Sequence, residues 1–234
     1  MDENMRINKF LSECGFCSRR EADRLLEAGK VTVDGETASV GSKIVPGQEV
    51  KVDGVLVTKK DRPVIIAVNK HKGIVCTTAK KEKNNIVDFI DYKSRIYPVG
   101  RLDKSSEGLL LMTNMGDLVN KIMRARNYHE KEYVVTVDKP ITGDFLSRMA
   151  AGVPILDTVT LPCRIVKEDK QRFRIVLVQG LNRQIRRMCE ALGYRVTSLR
   201  RERIMNIQLG RLKSGHWRNL TGAELAGLMR QLKD

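Results

Sequence analysis

Asp103 is the carboxylate whose setting points to chemistry. It lies in Gly100-Arg101-Leu102-Asp103-Lys104-Ser105-Ser106-Glu107-Gly108-Leu109-Leu110-Leu111, a polar, glycine-framed turn that runs straight into an apolar segment. That segment reads as a buried strand. Arg and Asp in a turn commonly form a solvated pair that contributes little. The three leucines that follow at once argue instead for a place near the floor of a cavity. A carboxylate there can be the reactive group of a site if something sets its pKa and another group holds the substrate. Arg183, Arg186 and Arg187 are the available cations, and Tyr133 offers a flat face for stacking.

The charge distribution says what the substrate side looks like. The chain of 234 residues carries a formal charge of +15. Residues 1–60 hold ten Lys/Arg and ten Asp/Glu, so the whole excess lies in residues 61–234. Between Arg183 and Arg218 there are ten basic residues and two acids, Glu190 and Glu202. A generally basic, solvated surface is the bland explanation; clustering of this kind favours a polyanion-binding face, so nucleic acid is the leading partner. Stacking of a nucleobase on Tyr133 then fits. No Ser/His/Asp set, phosphate-cradling glycine loop or dinucleotide fingerprint is present. Residue chemistry alone therefore reads as an RNA binder with a candidate single-carboxylate site.

Other features narrow the class. Nothing approaches eighteen consecutive apolar residues, so no membrane partner is expected, and the acidic start lacks a secretory apolar core, so the cytoplasm is expected. Cys14 and Cys17 have CxxC spacing, yet no second pair follows at zinc-site distance. The five cysteines read as free thiols, and neither metal nor cofactor is expected. A monomer is expected.

The elements that must position these residues follow from periodicity. Residues 5–14 read as a short helix, and Ser18-Arg19-Arg20-Glu21 is a capping box opening a second that Gly29 ends. Short strands follow at 31–33 and 49–52. This compact unit, residues 1–60, resembles the S4 RNA-binding domain in Arg6-Ile-Asn-Lys9-Phe-Leu, Ser18-Arg19-Arg20-Glu-Ala and Gly29-Lys30-Val-Thr-Val-Asp34-Gly35. The resemblance implies backbone contacts to RNA from Arg6, Lys9, Arg19, Arg20 and Lys30.

Residues 61–234 read as a second, strand-rich domain, and the whole as α+β, with a mainly antiparallel sheet flanked by helices in the larger domain. Strands are expected at 64–68, 74–77, 109–113, 131–137, 161–166 and 173–178, and helices at 116–126 and 142–151. Residues 182–193 form an amphipathic helix pattern with Ile185, Met188, Cys189 and Leu192 on one stripe. Arg183, Arg186 and Arg187 then sit near its N-terminal end, where the helix dipole disfavours cations, which hints at an anionic partner. A last helix opens at Thr221-Gly-Ala-Glu224, with Leu225, Leu228 and Leu232 expected inward.

Together these motifs resemble the pseudouridine synthases, and more narrowly the branch acting on bacterial ribosomal RNA. The resemblance rests on Gly100-Arg101-Leu102-Asp103 with Ser106 to Leu111 and Thr113-Asn114. Asn69-Lys70 with Lys72-Gly73, Glu132-Tyr133, Gln184 to Met188, Leu199-Arg-Arg201 and Gly215 to Leu220 follow in family order. Asn182-Arg183-Gln184 and Arg203 to Ile207 resemble the large-subunit sub-branch. His71 departs from the family, standing where proline is usual, and so does Met115. The resemblance implies cofactor-free conversion of a uridine to pseudouridine in 23S ribosomal RNA, with transfer RNA as a second candidate. Asp103 would be the nucleophile or glycal-forming base, Arg186 its cation and Tyr133 the stacking ring. Arg101 would hold the flipped nucleotide and Leu199 would line the wall, with Arg183, Arg187, Arg201 and Lys70 touching RNA. Two alternatives remain: a non-catalytic RNA-binding assembly factor, or the same chemistry confined to 16S or transfer RNA.

Overall fold

The computed structural model describes residues 4–58, 63–79, 81–123 and 128–232. The chain divides into two compact units, one of Met1–Pro63 with Lys93–Arg95 and Asn114–Gly116, the other of Val64–Tyr92, Ile96–Thr113 and Asp117–Asp234.

In the smaller unit, helices Ile7–Glu13 and Arg19–Glu27 pack on a four-stranded sheet around Ile7, Leu11, Ala22, Leu26, Val31 and Val50. The Ser18 half of the expected capping box forms, its hydroxyl accepting from Glu21 N at 3.1 Å. The Glu21 carboxylate instead receives Arg24 at 3.0 Å. Asp34 and Gly35 both take positive φ, of 50° and 90°, which closes the tight turn between Val31–Val33 and Glu36–Thr37.

The larger unit is built on a nine-stranded mixed sheet. Its main order is Arg164–Asp169, Arg172–Leu177, Lys131–Val137, Val196–Ile204, Glu107–Thr113, Ile65–Lys70, Trp217–Asn219. Tyr97–Val99 and Ile207–Gln208 pair off this path. All pairings are antiparallel except that of Val196–Ile204 with Glu107–Thr113. That parallel contact spans only Arg200 opposite Glu107 and Arg201 opposite Gly108. Leu109, Leu110 and Leu111 are fully buried in this central strand, as the apolar run predicts.

Gly108 makes the parallel contact possible. Its φ is +104°, and a Cβ there would lie 2.4 Å from Arg201 O and 2.7 Å from Arg201 N. These are backbone atoms held in the sheet, so they cannot step aside as a flexible side chain would.

Helix Gln184–Ala191 carries the predicted stripe, with Ile185, Met188 and Cys189 buried in a core shared with Phe145, Met149 and Phe173. It begins two residues later than the stripe suggests, because Arg183 adopts a left-handed backbone, φ 50°. Helix Gly143–Ala151 is capped by Thr142, and Gly222–Gln231 by the full Thr221–Glu224 capping box. Three expectations need correction or limits. Residues 74–77 form no strand: Val75 makes a single bridge to Asn85, its N–H reaching Asn84 O at 2.8 Å. Leu225 is 40% exposed, since the last helix packs through its Gly227–Leu228 side, where Gly227 lies against Asn206. The helix expected at 116–126 runs over Gly116–Met123, and Arg124 and Arg126 lie outside the described residues.

Gly108→Ala is expected to lower unfolding free energy by roughly 3 kcal/mol or more, combining backbone strain with a backbone clash. Gly73 has a similar φ of +91° but open space around it, so Gly73→Ala should cost only about 1 kcal/mol from strain. Urea denaturation of the two variants measures the difference.

Candidate active site

A cavity of about 490 Å³ in the larger unit gathers Asp103, Arg101, Tyr133, Arg186, Leu199 and Arg201. That volume suits a ligand of nucleotide size. The Asp103 turn that forms one side is held from several directions. Ser106 N–H donates to Asp103 O at 3.0 Å and Gly73 N–H to Lys104 O at 2.7 Å. Below it, the fully buried Lys70 ammonium donates to Ser106 O at 2.7 Å and His71 O at 3.0 Å. Burial, with Arg201, pushes the Lys70 pKa down, and the Asp103 and Glu107 carboxylates oppose that.

Helix Gln184–Ala191 supplies the cations. Arg186 Nε lies 3.6 Å from Asp103 Oδ2, and Arg183 Nη1 lies 3.8 Å from the same oxygen. Arg186 is nearly buried, and its Nη2 donates to Ser106 Oγ at 3.1 Å and Ser105 O at 3.4 Å. Its Nη1 reaches Val196 O at 3.4 Å. Burial lowers the Arg186 pKa and the Asp103 carboxylate acts against it. The guanidinium thus ties the carboxylate, its turn and the sheet into one unit, leaving the Asp103 side chain one-third exposed to the cavity. Arg183, half exposed, has the positive φ that a non-glycine residue adopts only at some cost.

Tyr133 sits on strand Lys131–Val137, directly opposite Arg201 on the neighbouring strand. The Arg201 guanidinium carbon lies 6.0 Å from the Tyr133 ring centroid. Leu199, 5% exposed, forms wall as expected, and Arg101 stands exposed where the cavity opens.

Two residues expected to contact RNA belong elsewhere. Lys70 and Arg201 are both buried, one holding Ser106 O and the other donating from Nε to Leu109 O at 2.7 Å, so neither presents its charge to a phosphate on the surface. Arg187 turns back on Asn182, donating from Nε to its backbone O at 3.1 Å, and is not among the cavity residues. In the smaller unit Arg6, Arg19 and Arg20 are exposed, whereas Lys9 pairs with Glu13 at 3.7 Å and Lys30 with Asp53 at 3.4 Å.

The residue reading overlooked Lys131 and left Ser106 without a role. Lys131 borders the cavity yet is only 5% exposed, its ammonium donating to His129 O at 3.2 Å. Burial, aided by Arg201, pushes its pKa down to about 8. Its signal in the sequence was slight, a lysine opening a β-rich run.

A family model for RNA pseudouridylate synthases matches residues 64–191, and a model for the S4 domain matches residues 5–50. The chain belongs to the RNA pseudouridine synthase family. A dual-specificity RNA pseudouridine synthase RluF of Salmonella typhi is 56% identical over 99% of this chain and 81% of its own length. The namesake of Escherichia coli K12 is 54% identical over 100% of this chain and 81% of its own. A crystal structure of a pseudouridylate synthase superposes with a TM-score of 0.71 at 28% identity, covering 96% of this chain and 99% of that one. This synthase is therefore an isomerase of RNA uridines, carrying an S4 domain ahead of its catalytic domain.

Ser106 should matter to the synthase through Arg186. Ser106→Ala removes the hydroxyl acceptor at 3.1 Å, a hydrogen bond to a charged group worth roughly 1.5–3 kcal/mol, so single-turnover isomerisation should slow at least about tenfold while RNA affinity holds. Lys131 predicts a pH effect. Its folded pKa of about 8 lies below the ordinary value of 10.5, so the unfolded chain binds the proton that the folded chain releases. Stability from this group must rise with pH from about 8 to about 10.5. Lys131→Met should remove that part of the rise in urea titrations across the range.

Proposed function

We propose that this synthase converts a specific uridine of 23S ribosomal RNA to pseudouridine, with Asp103 acting on the ribose and transfer RNA as a second substrate. The observation that carries the reading is the Arg186–Asp103 pair, 3.6 Å apart in a cavity bordered by Tyr133 and Leu199. A ribosomal large subunit synthase B of Bacillus subtilis, 32% identical over 95% of this chain, supports the ribosomal target. The dual specificity named for the RluF relatives supports a second RNA.

A paired, stacked uridine cannot reach Asp103, so the target nucleotide leaves the helix and its base enters the cavity. Tyr133 stacks on the base, and Arg101 holds the nucleotide at the opening. Arg186 sets its guanidinium against the Asp103 carboxylate, which faces C1′. The carboxylate either attacks C1′ or takes the C2′ proton to give a glycal; in both, the C1′–N1 bond breaks and its electron pair goes to the uracil. The base turns within the cavity and C5 bonds to C1′, as the Asp103–C1′ bond breaks or, on the glycal route, as C2′ takes its proton back from Asp103; the C5 proton leaves and N1 gains one. The product has the atoms of the substrate. No cofactor is needed for that balance, and the walls keep the free base from escaping.

Arg183 and the exposed Arg6, Arg19 and Arg20 serve the RNA backbone. With +15 on the chain, RNA affinity should fall at least tenfold between about 50 and 200 mM salt, read by filter binding; a flat response would contradict a phosphate-dominated interface. The target is tested by mapping pseudouridines, through reverse-transcription stops after carbodiimide treatment, in cells with the gene, without it, and with Asp103→Asn. At least one 23S position should vanish in both altered strains. Loss confined to 16S or transfer RNA would reassign the substrate, and loss at no position would overturn the reading.

A further inference from the structure

Arg201 poses a problem that the Asp103–Arg186 pair does not solve. It is 2% exposed, its Nε is committed to Leu109 O at 2.7 Å, and its Nη2 is buried with no hydrogen-bond partner. Buried polar groups almost always have a partner, and an unpaired guanidinium nitrogen in a low-dielectric interior is costly. Arg201 nonetheless borders the cavity, directly across the sheet from Tyr133 and 6.0 Å from its ring centroid. A second buried cation, Lys131, borders the same cavity, its ammonium donating to His129 O at 3.2 Å. The fold therefore tolerates two poorly compensated positive charges beneath one cavity.

We propose that the free Nη2 of Arg201 donates to a carbonyl oxygen of the flipped uracil, and that Arg201 with Lys131 forms the counter-charge for the base while it is detached. This rests on the pseudouridine synthase reading and on Tyr133 as the stacking ring. The Arg201 guanidinium carbon stands over the Tyr133 ring, 6.0 Å from its centroid, so a base entering beside that ring comes up against Arg201. The ribose and phosphates stay toward the opening with Arg101, so the partner deep in the cavity is the base. When C1′–N1 breaks, its electron pair spreads from N1 onto O2 and O4, and charge grows on the atoms that Arg201 would face. When C5 joins C1′ and loses its proton, and N1 takes one up, the base is neutral again. Donors fixed before the reaction, in a water-poor site, favour the charged stage over the neutral ones. Burial first and Arg201 second depress the Lys131 pKa to about 8, as fits a buried cation kept beside another until an anion arrives. Arg201 is on this account a catalytic residue that also selects bases with a carbonyl at the contacted edge.

The test is a cycle between protein and substrate. RNA containing the mapped target is made with uridine, 2-thiouridine or 4-thiouridine, since sulfur is the weaker acceptor, and single-turnover conversion is followed with wild type, Arg201→Lys and Arg201→Gln. Both variants should slow on uridine by at least tenfold with RNA affinity unchanged. One thio position should change the wild-type rate by a factor that disappears in the variants. If the variants respond to both thio substitutions by the same factors as wild type, Arg201 does not touch the base and the inference is overturned. Wild type inactive on the uridine RNA would instead overturn the underlying functional reading. Because Arg201 Nε also supports Leu109 O, an unfolded variant is replaced by isotope-edited infrared spectra of carbon-13-labelled target uridine bound to Asp103→Asn. A downshift of the C2 or C4 carbonyl stretch, reduced in Asp103→Asn by adding Lys131→Met, supports the contact and the paired counter-charge; two carbonyls unshifted from solution contradict it.

Discussion

The site depends on one close approach, the missing side chain at Gly108 against the backbone of Arg201. Among the described residues, only there does the sheet run parallel, over two residue pairs. With a Cβ 2.4 Å from Arg201 O, strand Val196–Ile204 could not lie beside Glu107–Thr113. Several placements follow from that contact. Arg201 is drawn under the cavity and reaches Leu109 O, Lys70 pairs with Gly108 on the other side, and its ammonium meets Ser106 O. Ser106 is then fixed from below while its hydroxyl receives Arg186. The position of Asp103 is the sum of these contacts. A turn that looks loose in the chain is tied at both ends.

Four cations, Lys70, Lys131, Arg186 and Arg201, are buried around the cavity that the partly exposed Asp103 carboxylate borders, with Glu107 acting on Lys70 besides. Such burial is a poor way to gain stability, because desolvation is offset only when geometry and partners are good. Lys70 has two carbonyl acceptors. Arg186 has Ser106 as a hydrogen-bond acceptor and Asp103 as an ion-pair partner, although its Nε makes no hydrogen bond. Arg201 Nη2 is likewise buried without a hydrogen-bond partner. The excess positive charge is better understood as readiness for a substrate that is itself anionic, first in its phosphates and then in its detached base.

Much of this was legible in residue patterns. The spacing of Ile185, Met188 and Cys189 marks the helix that delivers Arg186, and Leu109 to Leu111 mark the strand behind Asp103, because both patterns report local burial. The strand from Lys131 to Val137 likewise follows its alternation. Burial of a charge leaves no such mark. Lys70 and Arg201 read as phosphate ligands because a basic residue in a basic segment looks alike on the surface and in the floor of a cavity. Their true places come from strand pairing between residues far apart in the chain, such as Arg201 with Gly108. Helix Ile86–Ile90 was missed for the opposite reason. It is short, and its signal is the Asn85 cap, whose side-chain oxygen accepts from Val87 N at 3.0 Å and Asp88 N at 2.9 Å.

The central claim is that Asp103, paired with Arg186, performs the chemistry while other residues hold the RNA. Tritium release from C5-labelled uridine in ribosomal RNA tests it directly, with wild type and Asp103→Asn compared at equal RNA occupancy. The account predicts release by wild type and a loss of at least about 10³-fold in Asp103→Asn, the scale expected when a nucleophile or base is removed, with RNA affinity preserved. Equal release by the two proteins would contradict it.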